Sequence, residues 1–246
     1  MPEGAQMHTH IVHAHPEPRS YNAALTRAAE RTMRKRGSVT VSDLYRAGFD
    51  PVESGRHYAN RAQPDTFAPL AEQRHAWRID ALPDDVSVEI RQLERSDLVV
   101  LQFPLWWHGP PAILKGWMDR VFVSGGLYTS RMRYDAGYFR GRRAIVSVTT
   151  GAPQAAFGPG GRGGDFETML WPVQYSMHYM GFSVLPPFIS YGVQGHGYSY
   201  EDEASVQERL RHNQDAWSAH LTRLDQAEPL RFPGWSDWNA DGSAVG

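Results

Sequence analysis

The segment with the clearest chemical character spans residues 103–122 and reads FPLWWHGPPAILKGWMDRVF. Trp106, Trp107 and His108 directly follow an apolar run, in a stretch whose polar backbone cannot be deeply buried. Two adjacent indole rings in such a loop suit a flat conjugated ligand. The alternative is that both rings fold back onto the core, as large aromatic side chains often do.

A second segment, around residues 15–22, suits a phosphate group. His15 and Arg19 precede Ser20, which is a good N-cap for the helix that the following apolar spacing predicts. The free N–H groups at a helix N-terminus attract phosphate or pyrophosphate, and Arg19, Ser20 and Asn22 add possible donors. An ordinary capped helix is the alternative interpretation.

A third segment, Thr149, Thr150, Gly151 and Ala152, also follows a predicted strand. Small residues allow backbone N–H groups to come close to the edge of a ligand. Such groups stabilise negative charge that develops on a bound ring. By itself this pattern has little specificity.

The elements that must position these segments alternate between strand and helix. Apolar runs predict strands near residues 11–12, 39–41, 98–103, 144–148 and 184–189. Helical spacing predicts helices after Ser20, over residues 86–93, after Pro111, over 166–179 with a kink at Pro172, and over 201–224. Residues 44–82 are predicted to be a long connection with at most one helix.

This order predicts an α/β fold, a doubly wound parallel five-stranded sheet with helices on both faces. Ligands of such sheets bind outside the carboxyl ends of the strands. The three segments follow the first, third and fourth strands and are therefore expected to meet. Residues 7–224 are expected to form one domain of this fold, and residues 225–246 a C-terminal tail.

Composition excludes several classes of function. The chain has 246 residues, a formal net charge of −2 and no cysteine. We therefore expect neither a nucleic-acid nor a membrane partner, and a cytoplasmic location. Strand alternation places His8 and His10 on one face and His13 and His15 on the other, so the four cannot converge on one ion and no metal site is predicted.

The chain resembles the NAD(P)H:quinone oxidoreductase (DT-diaphorase) family of flavodoxin-like flavoenzymes, from about residue 11 to about residue 221. The resemblance is carried, in the family's order and spacing, by the block 103–122 and by His15, Ser20-Tyr21-Asn22, Thr149-Thr150-Gly151 and Leu170-Trp171-Pro172.

The resemblance implies a bound flavin, FAD with FMN as the alternative, that carries hydride from NAD(P)H to an aromatic or quinone-like acceptor in a ping-pong cycle. It implies that the pyrophosphate lies near His15, Ser20, Tyr21 and Asn22. The ring would contact Pro104, Leu105, Trp106, Trp107 and residues 149–151. A homodimer is implied too, in which Tyr128 and Tyr179 complete the partner's pocket.

The chain departs from the family pattern on the acceptor side. Members commonly carry a Tyr and a His after the Thr-Thr-Gly motif, where this chain has Phe157 and Gly163. Arg162 stands beside the second position, and His108 replaces an aromatic residue. We therefore expect catalytic roles for His108, Tyr128 and Arg162. The binding site of the acceptor is expected to be lined by Trp107, His108, Tyr128, Phe157 and Tyr179.

Other functions remain open at this point. The acceptor could be an azo compound, a nitroaromatic compound or an enone or quinone intermediate of a biosynthetic pathway. A non-catalytic flavodoxin-type electron carrier is the alternative from another class. The sequence does not identify a residue that would contact the ribose and so distinguish NADH from NADPH.

Overall fold

Strands and helices alternate along the chain in the computed structural model, which describes residues 6–193 and 202–245. The strands are β1 (Thr9–His13), β2 (Val39–Asp43), β3 (Leu98–Pro104), β4 (Arg143–Thr149), β5 (Ser183–Val184) and β6 (Phe188–Ser190). The helices are α1 (Tyr21–Met33), α2 (Pro69–Arg78), α3 (Asp84–Arg95), α4 (Ala112–Val121), α5 (Phe166–Tyr179) and α6 (Glu203–Thr222).

All strand pairs are parallel, and the order across the sheet is β2-β1-β3-β4-β5, with β6 also pairing with β4. The prediction of a doubly wound parallel sheet is confirmed. Strand order reverses between β1 and β3. The carboxyl ends of these two strands therefore flank the crevice in which such folds bind ligands.

The prediction of one last strand over residues 184–189 is wrong. Two short strands, β5 and β6, pair with the beginning and the end of β4, opposite Arg143–Ala144 and residues 147–149. Pro186 and Pro187 lie between them. Proline has no N–H to donate to a strand ladder, so pairing stops there and resumes at Phe188.

Helices cover both faces of the sheet. On one face, α1 and α6 pack together, and Leu25, Trp217 and Leu221 share a core with Ile11 of β1. On the other, α3, α4 and α5 contribute Leu93, Trp117, Met177 and others. Every residue of β3 is buried, which explains the apolar run that predicted this strand.

The connection between β2 and α3 contains one α-helix, α2, and a short 3-10 turn at Gly55–His57. It therefore agrees with the predicted connection of at most one helix. Glu72 of α2 is fully buried and accepts hydrogen bonds from the guanidinium of Arg61 and the amides of Ala62 and Gln63. These bonds hold the connection against the helix.

The chain after α6 lies against β5 and α5. The amide of Leu230 donates to the carbonyl of Val184 at 2.8 Å, and the indole of Trp235 donates to the carbonyl of Arg133 at 3.0 Å. The predicted last helix starts at Glu201, which lies outside the described residues; within them Asp202 caps α6. In the described part of the chain, no helix is long and apolar enough to cross a membrane.

Candidate active site

The loops that follow β1, β3 and β4 meet at the carboxyl edge of the sheet. The amide of Leu105 donates to the carbonyl of Thr149 at 2.8 Å, which joins the loops after β3 and β4. The rings of His15 and Trp106 lie 5.9 Å apart between centroids, which joins the loops after β1 and β3. The three segments that the sequence singled out thus form one surface.

The N-terminus of α1 opens onto this surface. Ser20 caps the helix, since its Oγ accepts from the amide of Ala23 at 3.2 Å. The amides of Tyr21 and Asn22 stand in the first turn and have no acceptor within the helix. The Arg19 side chain is about nine-tenths exposed and its Nε contacts Glu17. This cluster of donors suits a phosphate.

The surroundings of His15 favour its neutral form. Burial lowers the pKa of its imidazole below the ordinary value. Its Nδ1 accepts from the amide of Glu17 at 3.1 Å, so the proton of the neutral ring resides on Nε2. The Nε2–H group is therefore a donor beside the helix N-terminus.

The side chain of Asn22 serves a different purpose from the one expected. Its Nδ2 donates to Thr149 Oγ1 at 2.8 Å, and its Oδ1 accepts from Gln102 Nε2 at 2.9 Å. The side chain is buried and points between α1 and the sheet. Tyr21 likewise donates its hydroxyl to the carbonyl of Leu210. At these two residues, only the backbone amides remain available as donors to a phosphate.

Trp107 and His108 occupy the tip of a tight turn. Trp106 and Gly109 exchange two backbone hydrogen bonds, of 3.0 and 3.1 Å. Trp107 and His108 have φ values of +51° and +61°. This left-handed conformation costs about 1–3 kcal/mol for each non-glycine residue, and such strain concentrates at functional sites.

The turn exposes its aromatic residues. The side chain of Trp107 is 95% exposed and that of Trp106 41% exposed. Trp107 therefore does not fold back onto the core, which was the alternative to ligand binding. His108 Nδ1 lies 3.3 Å from Sδ of Met169 in α5.

The segment after β4 presents free backbone donors. Thr150 is held by Ser190, whose carbonyl accepts its amide at 2.9 Å. The amides of Gly151 and Ala152 make no hydrogen bond with any of residues 6–193 or 202–245. A Cβ at Gly151 would approach no atom more closely than 3.5 Å, so its surroundings are open. The Thr149 hydroxyl oxygen accepts from Asn22 Nδ2, and the side chain is buried.

Phe157 and Gly163, which replace the family's Tyr and His, are in contact with each other. A Cβ at Gly163 would lie 2.7 Å from Cε1 of Phe157. The Phe157 ring also packs on Phe166 and Tyr191, with centroids 4.5 and 5.6 Å away. Phe157 thus lies in an aromatic cluster beside α5. Arg162, close by, is exposed.

Tyr128 and Tyr179 are neighbours in the structure, and neither belongs to the three loops. Their rings contact each other edge to face at 5.6 Å, and the Tyr179 hydroxyl accepts from Arg133 at 3.0 Å. Burial raises the pKa of Tyr179. The pair borders a cavity of about 300 Å³ between α4 and α5, with Lys115 and Leu70.

Two residues near the site were missed from the sequence. Gln102 is a polar residue in a fully buried strand, and its amide links Asn22 to the carbonyl of Ser147. A polar residue within an apolar run was the available signal. Met169, which contacts His108, carried no such signal, because its position depends on how α5 packs.

These features fit a flavin. Donors at the N-terminus of α1 suit a pyrophosphate, exposed Trp107 offers a face for a flat ring, and the open amides at Gly151 and Ala152 can contact the ring's polar edge. They follow three different strands but lie at one edge of the sheet.

Comparisons with known proteins agree with this arrangement. A family model described as flavodoxin-like fold matches residues 7–221. The mouse protein named ribosyldihydronicotinamide dehydrogenase [quinone] is 37% identical over 229 residues, 92% of this chain and 95% of that protein. The guinea-pig protein named NAD(P)H dehydrogenase [quinone] 1 is 40% identical over 189 residues, 76% of this chain and 68% of that protein.

A solved structure described as a putative quinone reductase from Klebsiella pneumoniae superposes with a TM-score of 0.85 at 31% identity, covering 97% of this chain and 93% of that one. The fold and the site thus define a flavodoxin-like oxidoreductase. The chain belongs to the NAD(P)H:quinone oxidoreductase family, as its sequence motifs predicted.

Proposed function

We propose that this chain is a flavin-dependent oxidoreductase that reduces a quinone-like acceptor by two electrons at the expense of NAD(P)H, in a ping-pong cycle. The observation that carries the proposal is the meeting of the three loops at the point between β1 and β3 where strand order reverses. Family membership and high identity to two quinone dehydrogenases support it. A bound flavin supplies the hydride acceptor and donor.

Each group of residues in the site has its own proposed role. The Nε2–H of His15, the Arg19 guanidinium and the first amides of α1 bind a pyrophosphate, which favours FAD over FMN. Trp106 and Trp107, with Pro104 and Leu105, orient the ring and exclude water from one face. The amides of Gly151 and Ala152 stabilise negative charge at the ring's edge.

On the acceptor side, His108 is the group that can give a proton to a carbonyl oxygen as hydride arrives. Its imidazole stands at the tip of the exposed turn, where the family has an aromatic residue. Phe157 has no proton to give, and Gly163 has no side chain. Arg162 is proposed to supply positive charge nearby.

Tyr128 and Tyr179 complete the site of a second copy of the chain in a homodimer. The family resemblance supports that assignment, and the two rings contact each other at the border of a cavity. The cytoplasmic location and the division into a domain and a tail stay predictions.

The test is the absorption spectrum and flavin content of the purified protein. We expect a yellow protein that releases FAD on denaturation, identified by mass spectrometry. Anaerobic NADH or NADPH should bleach the flavin spectrum, and a quinone should restore it. Release of FMN would change the cofactor assignment only, whereas a colourless protein that takes up neither flavin would overturn the proposed function.

A further inference from the structure

A cavity of about 640 Å³ lies between α1 and the carboxyl end of β2, the edge strand of the sheet. Its volume falls within the range of about 300–1,000 Å³ that small-molecule sites occupy. The lining residues come from β1, β2, α1 and the loops that follow the two strands. In the described part of the chain, no residue assigned above to the flavin or to the acceptor lines this cavity. It is therefore a separate space.

The apolar part of the cavity is aliphatic. Val41 of β2 is 38% exposed and lines the cavity together with Ala23 and Ala47. An occupant with an apolar body would cover this surface, which favours binding. Among the described lining residues, the imidazole of His13 is the one aromatic ring. The cavity thus has no stacking wall of the kind that Trp107 offers, and it suits an aliphatic body better than a flat conjugated one.

One buried polar atom opens onto the cavity. His13 lines it although the residue is only 3% exposed, and its Nδ1 is paired with Thr26 Oγ1 at 2.9 Å. The other ring nitrogen, Nε2, makes no hydrogen bond with any of residues 6–193 or 202–245. Unlike Nε2 of His10, which is sealed in the interior, this atom keeps accessible surface. An occupant of the cavity can therefore reach it.

A hydroxyl group is the natural partner of this nitrogen. Burial lowers the pKa of His13, which favours the neutral ring. In a neutral imidazole the nitrogen that faces the cavity is either a donor or an acceptor, depending on the tautomer, and a hydroxyl group complements both. Buried polar groups in native proteins are normally satisfied, so a hydroxyl at this place completes the pairing of the ring.

The unpaired charges at the cavity are mostly positive. Arg27 donates to a backbone carbonyl, and the Arg46 side chain has no partner among the described residues. Of the two carboxylates in the lining, Glu30 is paired with Arg34 at 2.6 Å. The other, Asp43, accepts from the amide of Arg46 at 3.1 Å. Two guanidinium groups thus accompany one carboxylate without an ion pair. Guanidinium groups bind carboxylates in a favourable forked geometry.

We propose that this cavity binds a small aliphatic hydroxycarboxylate. The guanidinium groups of Arg27 and Arg46 bind its carboxylate, and Nε2 of His13 forms a hydrogen bond with its hydroxyl group. The aliphatic body covers Val41.

Saturation-transfer NMR of the purified protein with trans-4-hydroxycyclohexane-1-carboxylate tests the proposal. This probe carries both polar groups on an aliphatic ring and is no electron acceptor. We expect saturable binding. Arg27→Gln and Arg46→Gln should each weaken it by about tenfold, because a hydrogen bond between charged groups is lost. Arg91→Gln removes the same charge from an exposed position of α3, on the other face of the sheet, and should bind as the parent does.

Two variants and two probes test the contact with His13. His13→Asn keeps an amide where Nδ1 meets Thr26 and removes Nε2, whereas the longer His13→Gln keeps an amide near the position of Nε2. The first should weaken binding of the hydroxylated probe by about fivefold, and the second by less. Cyclohexanecarboxylate lacks the hydroxyl group, so it should bind the parent and His13→Asn equally. A variant with a damaged fold would weaken both probes.

Three outcomes would overturn the proposal. One is absence of saturable binding of the hydroxylated probe up to about 10 mM. Another is binding that both arginine variants leave intact, since the probe would then lie elsewhere. The third is displacement of the probe when flavin is added to flavin-free protein, which would make the cavity part of the flavin site. Binding needs no turnover, so a protein that reduces no quinone can still support this site.

Discussion

Asn22 Nδ2 donates a hydrogen bond of 2.8 Å to Oγ1 of Thr149, and both side chains are buried. The two residues are 127 positions apart in the chain. One stands in the first turn of α1 and the other at the end of β4. Their contact therefore fixes the proposed phosphate site relative to the proposed ring site.

Asn22→Ala should both lower the free energy of unfolding and speed the release of the flavin. Thr149 loses its donor and Gln102 its acceptor, and leaving a buried polar group unpaired costs about 1–3 kcal/mol. Urea unfolding measures the first effect and the rate of flavin release the second. Asn239→Ala is the control, because its bond to Ser243 is at the surface. Equal behaviour of the two variants would contradict the role given to Asn22.

Relief of strain in the 106–109 turn should raise stability while activity falls. The double variant Trp107→Asn, His108→Gly places residues that prefer left-handed conformations at both positions. We expect the free energy of unfolding to rise by about 1–3 kcal/mol. Asp80→Gly, at φ +52° outside the site, is the matched control and should gain stability with activity unchanged. Unaltered stability of the double variant would show that the turn is not strained.

His108→Phe should slow one half-reaction only. Flavin reduction by NAD(P)H needs ring stacking, which a phenyl ring preserves, whereas reoxidation by the acceptor loses a proton donor. We expect reoxidation to slow by about ten- to a hundredfold, within or below the usual contribution of general acid catalysis. Stopped-flow absorbance resolves the two steps. If both steps slow equally, or if neither step slows, His108 is not the acid.

Replacement of Tyr128 and Tyr179 by alanine should weaken the proposed dimer. The pair offers aromatic surface that a second chain can cover. Sedimentation velocity at micromolar concentration should show a dimer for the parent and a larger monomer fraction for the double variant, with lower quinone reduction. Tyr138→Ala, at a position 37% exposed, serves as the control. A fully active parent monomer would contradict the prediction.

Stability should fall as the pH drops below about 6.5, the ordinary value for histidine. Burial lowers the pKa of His13, which is 3% exposed and bonds to Thr26. In this pH range the unfolded chain therefore binds more protons than the folded one, and protonation favours unfolding. Burial also lowers the pKa values of His8, His15 and His220, so all four contribute in the same direction.

His13→Gln isolates one part of this dependence, because the amide keeps a hydrogen-bonding group and does not titrate. Urea unfolding at about pH 7.5 and about pH 5.5 should show a smaller loss of stability for the variant than for the parent. His212→Gln, at an exposed position, should leave the loss unchanged. A parent whose stability is the same at both pH values would contradict the prediction.

Local patterns in the sequence were sufficient for most of the elements and for the meeting of the three loops at one edge of the sheet. Ser20 caps α1 as predicted, α5 spans the predicted Phe166–Tyr179, and β3 follows its apolar run. Caps, helical spacing and burial of a strand are properties of neighbouring residues. In a parallel sheet the loops that follow the strands lie at one edge, so the order of the elements was enough to predict that the three loops meet.

Only the tertiary structure decided where individual side chains point. The interior position of the Asn22 side chain depends on Thr149, and that of the Phe157 ring depends on the missing side chain at Gly163. The break at Pro186 depends on the register of β4. Each involves partners far apart in the chain or a backbone turn that no periodicity encodes. Contacts of this kind arise from packing, so they become determinate only when the elements are in place.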